Sequence, residues 1–125
     1  MAERIVKPWG WSQEVYRDEL TRVVRIHVEP GGHCSWHKHE RQNNTFHVLR
    51  GDLRIHYGSG FRSGSREIGD SGDCRIMTVE CLTEHRFVNE SCSPVEALEI
   101  YDSADGTPPD ENDIIRFSEG GVLNP

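Results

Sequence analysis

Between Thr21 and Glu29 apolar and polar residues alternate one by one, with Val24, Ile26 and Val28 on one side and Arg25 and His27 on the other. A period of two marks a strand with one buried and one exposed face, and no other pattern constrains this chain so tightly. Pro30-Gly31-Gly32 closes the segment with turn residues. The same rhythm of short extended run and turn continues, so further strands are expected at about 33–39, 45–50, 53–57, 74–79, 85–88 and 95–101. Gly51-Asp52 reads as a tight hairpin, 58–65 as a surface loop and 69–73 as a turn, while Glu40-Arg41-Gln42-Asn43 is expected to break the strand pattern. No segment keeps a helical period, and no repeat or linker divides the chain. The expectation is one all-β domain over residues 1–125, a sandwich or barrel of antiparallel strands.

Composition agrees with that reading and narrows the function. Only 34% of the residues are hydrophobic, which suits strands with one buried face better than a helical core, and 12 glycines and 6 prolines supply turns. The net charge of −7 argues against nucleic acid as a partner, because phosphate binding needs clustered Lys and Arg. No apolar run approaches the ~20 residues of a membrane span. The N-terminal segment lacks a basic-then-apolar leader pattern, so a cytoplasmic protein with no membrane partner is expected. Cys34, Cys74, Cys81 and Cys92 show no CxxC spacing and are expected as reduced thiols.

The chemistry concentrates in histidine. His37 and His39 are two apart, so on a strand both project from one face and can share an ion. His85, on a later strand, is the third candidate. His33 has the same parity but lies about 13 Å from His37 along an extended strand, too far to join them. His27, His47 and His56 fall on the opposite parity from apolar neighbours and are expected outside. Trp36 and Cys34 are also expected to face outward, and with His47 they suggest a covered surface and a homodimer.

Two stretches carry a family likeness. Gly31, His37, His39, Asn44 and Gly51 follow the spacing of the first cupin motif, and Gly72, Glu80, Leu82, His85 and Asn89 that of the second. The chain therefore resembles the cupin superfamily, which implies a jelly-roll β-barrel with one divalent ion (Zn, Ni, Fe or Mn) on His37, His39 and His85. Lys7-Pro8-Trp9-Gly10, Glu29-Pro30-Gly31-Gly32 and the segment from Glu111 to Phe117 are similar to the cupin domain of type II mannose-6-phosphate isomerases. Two departures stand out. Asn44 occupies the place of a metal-binding Glu, so it either ligates through its oxygen or hydrogen-bonds a bound water, and Glu80 and Leu82 replace a Pro and a Gly.

The resemblance implies a small-molecule substrate and a sugar or sugar-phosphate isomerase or epimerase, with Glu80 as candidate general base and Arg41 and Arg86 as candidate phosphate-binding residues. Three neutral ligands without a carboxylate equally suit a three-histidine Fe(II) dioxygenase. A non-catalytic module binding a small molecule in the barrel is the third reading, because function lives in the site and not in the fold.

Overall fold

In the computed structural model, which describes residues 2–123, the chain forms thirteen strands and one 3-10 turn at Gly60–Arg62. There is no α-helix among the described residues. One antiparallel sheet runs in the order β1 (Ile5–Lys7), β2 (Gly10–Arg17), β3 (Thr21–Val28), β11 (Val95–Ser103), β6 (Gln42–Arg50) and β9 (Ile76–Val79). The other runs β12 (Ile115–Arg116), β5 (His37–Lys38), β10 (His85–Val88), β4 (Gly32–His33) and β13 (Gly121–Val122). Strand β7 (Asp52–Tyr57) also pairs with β10, and β8 (Gly64–Gly69) pairs with β7. All these pairings are antiparallel, and the two sheets make a jelly roll.

Alternation decides what goes inside. Val24, Ile26 and Val28 of β3 meet Phe46 and Val48 of β6, Leu53 and Ile55 of β7, Ile68 of β8 and Phe87 of β10 in one core. Removing such area from water is the main stabilising term, roughly 25 cal/mol per Å². Trp9 closes one end of this core, its ring edge-on to Phe87 at 4.9 Å. The neighbouring Gly10 has φ +149°, and a Cβ there would stand 1.9 Å from the His27 carbonyl oxygen, so the close β2–β3 approach requires glycine.

The structure corrects several expectations. The strand expected over 33–39 is two short pieces, β4 and β5, with residues 34–36 between them outside either strand. Parity counted across that gap fails, and Cys34 lies in the core rather than outside, its Sγ accepting the Phe87 N–H at 3.2 Å. Burial pushes its thiol pKa well up. Trp36 is half-buried, its ring 5.5 Å from the Arg86 guanidinium. Gln42 and Asn43 do not break the chain: they begin β6, and Gln42 is buried. The surface loop expected over 58–65 contains the 3-10 turn and the start of β8, whose first four residues carry no apolar alternation. The four cysteines are free thiols.

Candidate metal centre

Three strand ends bring the histidines together. His37 on β5 stands directly across from His85 on β10, which places both side chains on one face. His39 follows β5 by one residue and turns back to the same point. The three rings have centroids 4.5 to 5.3 Å apart, and one nitrogen from each gathers within 4.8 Å of the others. All three histidines are buried.

The hydrogen bonds fix which nitrogen is offered. His37 Nδ1 lies 2.8 Å from the Ser35 carbonyl, His39 Nδ1 2.7 Å from the Asp113 carbonyl and His85 Nδ1 2.8 Å from the Thr83 carbonyl. A carbonyl only accepts, so each Nδ1 carries the proton and each Nε2 keeps its lone pair. Backbone anchoring of this kind is how metal-ligating histidines are oriented. His39 Nε2 and His85 Nε2 are buried with no hydrogen-bond partner. Left alone, such atoms cost roughly 1–3 kcal/mol each, a cost that a shared cation removes. The residues therefore fit a metal ion, and the cluster is able to bind one.

Burial also keeps the imidazoles neutral. Desolvation, reinforced by the neighbouring His85 and His39, lowers the His37 pKa to about 2. Desolvation lowers His85 to about 4, and it lowers His39 against the opposing Asp113 carbonyl. Neutral imidazole is the form that ligates.

The other expected site residues are placed differently. Asn44 lies on the inner face of β6, its Nδ2 donating to Glu99 at 2.9 Å and its Oδ1 buried without a partner. Glu80 is exposed just after β9 and does not line the cavity that opens onto His37 and His39, because Val79 takes the buried side of the strand and the next residue falls on the other. Arg41 is exposed and borders a separate surface cleft beside Asp113. Arg86 alternates with His85 and Phe87 along β10, so it points out of the barrel beneath Trp36. None of these three reaches the cavity.

Residues that the sequence reading passed over do reach it. The cavity, of about 400 Å³, is bordered by His37, His39, Arg22, Arg116, Glu99 and Tyr101 among others. Arg116 on β12 is the cross-strand partner of His37. Arg22 is tethered to Glu14 at 2.8 Å, and its guanidinium lies 5.3 Å from the Tyr101 ring. Glu99 and Tyr101 share strand parity with the buried Val95 and Ala97, a signal of an inward carboxylate that was present in the sequence.

A two-sheet jelly roll with an inward three-histidine cluster defines a class of metal-binding barrels. The cupin domain profile matches residues 24–101, and the chain belongs to that family. It is 29% identical over 115 residues to a mannose-1-phosphate guanylyltransferase of Escherichia coli, and 26% identical over 119 residues to a putative one of Vibrio cholerae. Those matches cover 92% and 90% of this chain but only 22% of either relative, so the chain spans about a fifth of their length. Among solved structures, oxalate decarboxylase from Bacillus subtilis superposes with a TM-score of 0.75 at 16% identity, over 93% of this chain and 30% of that one. The Lactobacillus farciminis oxalate decarboxylase gives 0.73 at 18% identity, over 93% and 34%. These last two likenesses carry the fold.

Proposed function

We propose that this chain is a metal-dependent cupin acting on a phosphorylated sugar, with chemistry of the isomerase type. The observation that carries the metal-dependent part is the histidine cluster, whose Nδ1 atoms are tied to backbone carbonyls and which brings one nitrogen of each ring within 4.8 Å of the others. His37, His39 and His85 would hold the ion. When bound, a divalent ion supplies Lewis-acid polarisation of a carbonyl or hydroxyl oxygen.

The substrate class rests on two supports. Nearly the whole chain is similar to part of enzymes named for mannose 1-phosphate. Arg116 and Arg22 also border the cavity, where planar guanidinium groups suit an anionic phosphate. In this reading they, rather than Arg41 and Arg86, would hold the phosphate.

The test incubates protein reconstituted with Zn(II), Mn(II), Ni(II) or Fe(II) with mannose 6-phosphate and follows fructose 6-phosphate by NMR. Metal-dependent interconversion is expected, with a loss of about tenfold or more on Arg116→Ala through weaker phosphate binding. No turnover with any of the four ions would contradict the reading. The all-neutral donor set favours a second reading, a three-histidine Fe(II) dioxygenase. Oxygen uptake dependent on Fe(II), with no isomerisation, would select it.

A further inference from the structure

We infer that Glu99 is the catalytic acid–base group of this site, a role that rests on the isomerase reading above. Position 44 on the inner face of β6 carries a neutral amide, Asn44. On the adjacent strand β11, Glu99 points into the barrel and is 7% exposed. Glu99 lies outside the histidine cluster, which no carboxylate oxygen joins.

The two oxygens of Glu99 have different surroundings. Oε2 accepts the Asn44 amide N–H at 2.9 Å and the Tyr101 hydroxyl at 2.6 Å. Oε1 has no hydrogen-bond partner among the described residues, while Glu99 borders the same cavity as His37 and His39. No Lys or Arg forms an ion pair with Glu99 among the described residues, although Arg22 borders the same cavity. A buried carboxylate that served only stability would be matched to a cation, because desolvating an unpaired charge is costly. Two neutral donors fix one oxygen and leave the other free on a residue that borders the cavity, which is an arrangement suited to a base that meets substrate. Burial, and then the Glu99 charge, raise the Tyr101 pKa well above its usual value, so Tyr101 stays a donor and does not compete as the base.

The step balances without a further reagent. In an aldose phosphate, Glu99 Oε1 takes the proton from the hydroxyl-bearing carbon next to the carbonyl. The C–H electron pair becomes the C=C bond of an enediolate, and the carbonyl π pair moves onto its oxygen. The proton then returns from Oε1 to the neighbouring carbon while the hydroxyl proton passes to the other oxygen, giving the ketose. Nothing is oxidised or reduced overall. Tyr101 and Asn44 act through Glu99 and are positioning residues.

The experiment compares the full chain with Glu99→Gln, Glu99→Asp and Tyr101→Phe, each loaded with Co(II), using mannose 6-phosphate in D2O as the probe. Three readouts are taken: deuterium incorporation at the sugar carbon, kcat for ketose formation, and the Co(II) visible spectrum with its stoichiometry. Glu99→Gln is expected to lose exchange and kcat by about a hundredfold or more with the Co(II) spectrum and stoichiometry unchanged. Glu99→Asp keeps the charge but withdraws the oxygen, and is expected to lower kcat with little change in KM, which tests the role even if the Gln variant fails to fold. Tyr101→Phe is expected to lower kcat by about tenfold, less than Glu99→Gln. Retained exchange in both Glu99 variants would overturn the assignment. A Co(II) spectrum lost in Glu99→Gln would overturn it too, by making Glu99 a ligand. Absence of exchange in the unaltered protein loaded with Co(II) would overturn the isomerase reading, and the role of Glu99 with it.

Discussion

His37, His39 and His85 each have a folded-state pKa below the ordinary value of 6.5 in the metal-free protein, with burial as the leading cause. The sign of the pH effect follows. Between 6.5 and about 4 for His85, or about 2 for His37, the unfolded chain binds protons that the folded chain refuses. Stability therefore falls as pH drops below 6.5, by up to about 1.4 kcal/mol per pH unit for each group. His27 on the outer face works in the opposite direction: its hydrogen bond to Glu96 leads in raising its pKa, and its contribution is present below 6.5 and lost as pH rises through the raised value. Chemical denaturation of metal-free protein between pH 7 and pH 4.5 is expected to show decreasing stability, with a shallower slope in His37→Ala than in the parent. An identical slope in the variant would mean that the site histidines are already solvated.

At the scale of elements, the turn between β9 and β10 sets where His85 enters. Leu82 occupies it with φ +69°, a left-handed conformation that costs a non-glycine residue roughly 1–2 kcal/mol. Its N–H reaches the His39 carbonyl at 2.6 Å, tying the second histidine to the strand that delivers the third. Leu82 is exposed, so little packing compensates. Leu82→Gly is therefore expected to raise stability by about 0.5–1 kcal/mol after glycine's greater unfolded-state entropy is subtracted. A thermal melt checks it, and a lower Tm would show that the leucine makes contacts worth more than the strain. The same elements show what alternation could and could not reveal. It located β3 closely because Val24, Ile26 and Val28 share one parity, whereas β10 and β11 were found as short extended runs between turn residues, with apolar residues on both parities. It missed β8, where Gly64, Ser65, Arg66 and Glu67 offer no apolar rhythm and the strand exists because β7 provides backbone partners. The His-x-His spacing identified the pair although β5 is only two residues long. Arg116 and Arg22 were not legible, since their approach to the cavity depends on which distant strands pair, and parity along one strand says nothing of that. Glu99 was legible, as a charged residue on the buried side of β11, whereas Glu80 stands at a motif position but on the exposed side.

For the molecule as a whole, the jelly roll keeps its packing and its site largely apart. The apolar core is built from β3, β6, β7, β8, β9, β10 and β11 together with Trp9 and Cys34, and His37 and His39 of the histidine cluster border the cavity. Loss of the ion should thus leave the barrel folded but less stable, because a ligand that binds only the folded state adds about 2.7 kcal/mol at a hundred times its Kd. Affinity should weaken as the pH falls, since protonated imidazole does not ligate. The most direct measurement is the metal stoichiometry of protein purified without chelators, by elemental analysis, followed by calorimetric titration of stripped protein with Fe(II), Zn(II), Ni(II) and Mn(II). The expected result is one ion per chain and a raised Tm, with both lost in the His37→Ala, His39→Ala double variant while its circular dichroism stays that of a β-protein. Protein that is free of metal as purified and binds none of the four ions on titration would contradict the account.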